Sequence, residues 1–260
     1  MRTKEIVQYI DSFAPFSTAM PYDNCGLLIG SGETEPTGAV VSLDATLEAL
    51  QYALENRCNL VVTHHPIIFN ALKRIDTQSA VYQYIRYGVS VISAHTNLDM
   101  VKGGLNDALA KRLGLTGVTG LGLVSPNGPV YEGRVGMLPA PLTPDALAGQ
   151  VKERLGLEAV GLVCREGLEE KPLTRVAVCS GAGSSLLYDC AQEGADALVT
   201  SEIKHNIAQD ALDMGIVMID GGHYGTEILA VPLLAKRLEE QFPELPVFPF
   251  VQQPPIRAVY

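Results

Sequence analysis

Apolar residues recur along this chain in two rhythms. Short unbroken apolar runs, within 23–30, 39–44, 60–62 and 89–94, are bounded by glycine, proline or polar clusters. Runs of that length and flanking predict buried strands. Between them the period lengthens to three or four. Residues 3–13 place Ile6, Ile10 and Phe13 on one face, and 46–56 place Leu47, Leu50 and Leu54 on another, so both predict amphipathic helices. Residues 79–87 predict a third helix, stopped by Gly88 in the left-handed cap position. Strands alternating with helices imply a largely parallel sheet.

The second half repeats the first. Residues 175–180 read as a strand like 40–44, and 184–193 as a helix. Residues 195–200 mirror 58–63 at a constant offset of 137, and Val178 matches Val41 at the same offset. Residues 215–220 then mirror 88–93 with a shorter insert between. The echo predicts two related α/β units whose equivalent strand ends face one another across a cleft. Between them, 130–138 predict an antiparallel strand and 159–165 another strand. A helix over 143–155 is capped by Thr143, with Pro144 in its first turn. Residues 120–128 are rich in Gly, Pro and Asn and mark the break. This gives an N-terminal unit 1–124 and a C-terminal unit 125–260 with a tail able to pack back on the first.

Composition narrows the function classes. At 260 residues and 47% hydrophobic, the chain has ample core for a globular protein. A net charge of −10 disfavours wide binding to a nucleic-acid backbone, which needs a basic face. The five cysteines are odd in number and none is spaced Cys-x-x-Cys, which argues against disulfides and thiolate zinc and for a reducing cytoplasm. The charged N-terminus lacks the apolar core of a signal peptide, and no apolar run approaches a membrane span.

Chemistry concentrates at strand ends. His64 and His65 emerge together where the apolar run 60–62 meets Pro66, which forbids its smooth continuation. In an α/β sheet that end is where ligands bind. Taken alone, the pair also fits one core histidine beside an exposed one. Asp99 follows the next strand, within His95-Thr96-Asn97-Leu98-Asp99, where a turn or cap role is the competing reading. His95 reads as a hydrogen-bonded supporting histidine. His223 and Glu227 follow the strand 216–219 behind Gly221-Gly222, and a helix starting near His223 puts both side chains on one face. Pro232 should break or kink that helix one turn on, with 233–240 as a second segment.

Three histidines, one aspartate and one glutamate are too many for a closed tetrahedral site. They suit two divalent cations sharing carboxylates. Imidazole and carboxylate without thiolate suit iron, manganese, zinc, cobalt or nickel. Two such ions lower the pKa of a bridging water and clamp the oxygens of a displacement, the logic of many hydrolases. A leaving-group acid must then come from the protein. Glu202 and His205 stand at the end of strand 196–200, the echo of the His64 position, and are the candidates; an ordinary polar first turn is the alternative. Lys204 between them suits an anionic substrate, with an ordinary exposed lysine as the competing reading. No phosphate-binding glycine loop is present.

Four motifs together resemble one family. Asp23-Asn24 with Gly26-Leu27, Thr63-His64-His65-Pro66, Ser93 through Asp99, and Gly222 through Glu227 match the YbgI-like or NIF-three-like family, the GTP cyclohydrolase type 2 homologues, in order and spacing. The family often has Trp before Asp-Asn, where this chain has Tyr22. The resemblance implies two similar, interlocked α/β domains with mostly parallel sheets and a metal site in the cleft between them. It implies a dinuclear centre with ligands His64, His65, Asp99, His223 and Glu227. It also implies a toroidal homohexamer and a GTP cyclohydrolase-like activity on a small nucleotide-like substrate. The competing expectation is a non-enzymatic metal-binding or regulatory scaffold.

Overall fold

The computed structural model describes residues 1–125 and 130–256. Two compact units divide the chain, one formed by Met1–Val101 with Ile228–Gln253, the other built mainly from Lys102–Glu227. The division is not a single cut near residue 124. Of the stretch expected to separate the units, 120–125 belong to a strand, and 126–129 lie outside the described residues.

The elements run in chain order. The first are α1 (Thr3–Phe13), β1 (Gly26–Ile29), β2 (Ala39–Ser42), α2 (Leu47–Glu55) and β3 (Leu60–Thr63). Next come α3 (Ala80–Arg86), β4 (Ser90–Ser93), α4 (Thr96–Met100) and α5 (Leu105–Arg112). Then follow β5 (Thr116–Ser125), β6 (Val130–Leu142), α6 (Pro144–Leu155), β7 (Gly161–Val163) and β8 (Leu173–Val178). The last are α7 (Leu187–Gln192), β9 (Ala197–Thr200), α8 (His205–Met214), β10 (Val217–Asp220), α9 (His223–Glu227), α10 (Ala230–Gln241) and β11 (Val247–Pro249).

In the first unit the sheet order is β1-β4-β3-β2-β11. All its neighbours are parallel except β1, which runs antiparallel to β4. Every residue of β2, β3 and β4 is buried, as continuous apolar strands require when both faces are covered. Caps start the helices where the sequence puts them: Thr46 Oγ1 accepts from Ala49 N at 3.1 Å, and Ser79 Oγ accepts from Tyr82 N at 3.3 Å. The inward face of α2 differs from expectation. Ala49, Leu50 and Ala53 are buried, while Leu47 and Leu54 are exposed. Two stripes share Leu50, and the one that carries the alanines is the buried one. The helix begun at His223 does divide as expected, stopping at Glu227 and resuming as Ala230–Gln241, but the break falls ahead of Pro232. It is the third residue of α10, in the first turn, where its missing N–H costs no hydrogen bond.

In the second unit the order is β5-β6-β8-β9-β10-β7. Here β8, β9 and β10 are parallel, while β5, β6 and β7 each pair antiparallel. This sheet is therefore mixed, and the parallel run is confined to the strands that echo the first unit. Thr143 caps α6, as the sequence predicts, and Gly156 ends it at φ 67. Among the described residues, no helix is long and apolar enough to cross a membrane.

Candidate metal centre

Register brings the first unit's histidines together. Ser42, Thr63 and Ser93 stand side by side on β2, β3 and β4, so the residues that follow leave the sheet along one edge. His65 N donates to Leu43 O at 2.9 Å and Ala94 N to Thr63 O at 2.9 Å, which carries the alignment past the strands. Thr63 Oγ1 and Ser93 Oγ, both buried, hydrogen-bond at 2.8 Å beneath the edge. The His64, His65 and His95 rings consequently lie with centroids 5.0 to 5.5 Å apart. One ring nitrogen from each falls within 4.8 Å of the others.

Each imidazole is oriented through Nδ1. Fully buried His64 directs Nδ1 to Ala94 O at 2.9 Å; a carbonyl only accepts, so Nδ1 carries the proton. His64 Nε2 then lies 3.6 Å from Asp99 Oδ1, with Asp99 carried on α4. His65 Nδ1 meets Asp44 Oδ1 at 2.7 Å. Asp44 is clamped in turn by Gln252, whose Nε2 reaches Asp44 Oδ2 at 2.5 Å and whose Oε1 accepts from Asp44 N at 3.2 Å.

His95 Nδ1 meets Asp23 Oδ1 at 2.8 Å. Antiparallel β1 sets Gly26 opposite Ser93, so the residues before one strand lie beside those after the other. Burial alone would raise the Asp23 carboxyl, but hydrogen bonds from His95 and Thr96 overcome it and hold the group well below its usual range. Burial pushes the Cys25 thiol up to about 12, so it stays protonated beside Asp23 and leaves a nitrogen and oxygen donor set.

The second unit offers a smaller constellation. Gly222, at φ 70, turns the chain from β10 into α9. His223 and Glu227, four apart on that helix, meet at 2.9 Å from Nε2 to Oε2. His223 Nδ1 lies 2.8 Å from Glu202 Oε1. Glu227 is buried, and Gly181 makes the room: a Cβ there would stand 2.2 Å from Glu227 Oε1. His205 opens α8 as an exposed residue whose side chain has no hydrogen bond or ion pair among the described residues.

The donors fit a first-row divalent ion. Two donors each about 2.1 Å from one ion stand at most ~4.2 Å apart. The separations of 3.6 Å for His64–Asp99 and 2.9 Å for His223–Glu227 satisfy that limit. Asp23, Asp44, Gln252 and Gly181 support these groups and were not singled out as site residues from sequence. A signal exists for three of them: Asp23 lies in the first of the family motifs, Asp44 closes an apolar run, and Gly181 is the counterpart of Asp44 at the offset of 137.

The comparisons agree with the motifs. A "GTP cyclohydrolase 1 type 2 homolog" of Clostridium acetobutylicum is 32% identical over 246 residues, covering 92% of this chain and 90% of the relative. One of the same name from Streptococcus pneumoniae serotype 4 is 33% identical over 245 residues, covering 92% and 91%. The crystal structure of Staphylococcus aureus protein SA1388 shares the fold, with a TM-score of 0.90 at 23% identity over 100% of this chain and 99% of that one. The family model for Duf34/NIF3 matches residues 1–254, and by that match the chain belongs to the Duf34/NIF3 (NGG1p interacting factor 3) family.

Proposed function

We propose that this chain binds two divalent metal ions through His64, His65, Asp99, His223 and Glu227 and hydrolyses a small nucleotide-like substrate. One observation carries the metal-binding reading. His64, His65, His95 and His223 each have Nδ1 engaged by a carbonyl or a carboxylate, the orientation that reserves Nε2 for another partner. Scattered core or surface histidines need no such repetition. The nitrogen and carboxylate donors suit iron, manganese, zinc, cobalt or nickel.

Such ions, when bound, polarise a substrate oxygen and acidify water. The chain's own residues do the rest. Asp44 and Gln252 keep His65 turned, and Gly181 admits the Glu227 carboxylate. His205 supplies the leaving-group proton in this reading, and exposed Lys204 beside it attracts an anionic substrate. The substrate class follows the name of the curated relatives, GTP cyclohydrolase 1 type 2 homolog. The protein works as a toroidal homohexamer in the cytoplasm. Its cysteines, none joined in a disulfide among the described residues, suit a reducing compartment.

Elemental analysis paired with native mass tests metal content and ring size together. A screen of nucleotides and phosphoesters with manganese, iron or zinc then tests activity. Metal-dependent turnover that is lost in His65→Ala supports the hydrolase. Metal content that falls in His65→Ala with no turnover of any substrate favours a second reading, a metal-binding scaffold, for which the family's description as an interacting factor speaks.

A further inference from the structure

We propose, on the metal-binding reading above, that Glu202 is a positioning residue that fixes the Nε2-presenting form of His223, rather than a proton donor. Its Oε1 lies 2.8 Å from His223 Nδ1, so the carboxylate is already committed to the ring. It holds His223 as Asp44 holds His65 and Asp23 holds His95.

The backbone around Glu202 is built for this aim. Glu202 sits at φ 54, in the left-handed region, one of two such non-glycine residues among those described. Few non-glycine residues occupy that region, and the loop holds Glu202 there through defined bonds. Three bonds pin the loop. Ser201 N donates to Gly181 O at 3.0 Å, Ser184 Oγ to Glu202 O at 3.5 Å, and Ile203 N to Asp220 Oδ2 at 3.3 Å.

Asp220 also joins the two loops. Its other oxygen, Oδ1, accepts from Gly222 N at 2.9 Å, directly before His223. A single carboxylate at the end of β10 thus ties the residue after Glu202 to the residue before His223. The Glu202–His223 distance is set by a shared anchor, not by a chance meeting of two exposed side chains. The glutamate side chain is 60% exposed, and a surface pair of this kind contributes little to folding. Its consequence lies in the orientation of the ring.

The test uses Glu202→Gly, which relieves the left-handed backbone while removing the carboxylate, and Glu202→Gln, which keeps an oxygen acceptor. Three quantities are measured on the full chain: the metal-free melting temperature, manganese and zinc affinity by calorimetry, and the imidazole nitrogen resonances that report which ring atom carries the proton. Glu202→Gly should melt at or above the wild-type temperature, bind each metal about 10- to 100-fold more weakly, and lose the Nδ1-protonated form of His223. Glu202→Gln should restore most of the affinity.

A Glu202→Gly protein with wild-type affinity and an unchanged His223 tautomer overturns the proposal. If Glu202→Gly does not fold, Glu202→Asn tolerates the same backbone and carries the same comparison. If wild type binds neither metal, the metal-binding reading fails. The tautomer in the metal-free protein then still decides whether Glu202 orients His223.

Discussion

Replacing Gly181 with alanine should damage the candidate site through one atom. The new Cβ would stand 2.2 Å from Glu227 Oε1 and 3.2 Å from its Cδ, whereas ordinary contact begins near 3.4 Å. The carboxylate must swing aside and give up its present partners. Glu227 is 3% exposed, and its neighbour Thr226 is pinned by Gly181 N at 3.0 Å and by the carbonyls of Gly222 and His223.

Gly181 is also at φ 62, where alanine costs about 1–2 kcal/mol irrespective of space. Gly194 isolates that cost, since it has φ 65 and nothing within 4 Å of its would-be Cβ. Displacing a buried carboxylate from its partners adds about 1–3 kcal/mol. Gly194→Ala should therefore lose about 1–2 kcal/mol and Gly181→Ala about 2–5 kcal/mol. At roughly 2–4 °C per kcal/mol, the two are separable by scanning calorimetry. Manganese titration of the same samples should show weakened binding only in Gly181→Ala. Equal melting shifts for the two variants, or wild-type manganese affinity in Gly181→Ala, would refute the argument.

Three further outcomes follow from the structure. In urea, Leu50→Ala should cost about 2–5 kcal/mol, while Leu54→Ala stays within about 0.5 kcal/mol, because only the first is buried; the reverse order would return α2 to the other face. Asp23 is held below its usual value of 3.8, so its contribution is complete above that pH and is lost as pH falls through the folded value. The stability gap between wild type and Asp23→Asn should therefore shrink on acidification below 3.8, and a gap that widens there would contradict the assignment. Manganese at about 100 times its dissociation constant should raise stability by about 2.7 kcal/mol and EDTA should abolish the gain, whereas a melt indifferent to both would count against a metal site.

The chain states its local structure openly. The buried runs of β2, β3, β4 and β9, the caps Thr46, Ser79 and Thr143, and the stops at Gly88 and Gly156 are all legible, because each depends on neighbours within a few residues. The placing of His64 and His65 beyond a buried strand, and of His223 and Glu227 on one turn of helix, is legible for the same reason. Sequence alone does not choose between partners that are far apart along the chain. The pairing of β7 with β10 and the residue at which the chain returns to the first unit each rest on such a choice. So does the face of α2, where two stripes share Leu50 and the packing against the sheet decides.

The contacts that orient the histidines lie on that side of the line. Asp23 meets His95 across 72 residues and Gln252 meets Asp44 across 208. The identity of the donor groups is thus written in local pattern. Their orientation exists only once register, a left-handed glutamate and a glycine without a side chain bring distant atoms within hydrogen-bond range, because that bond has no strength until the fold has closed the distance.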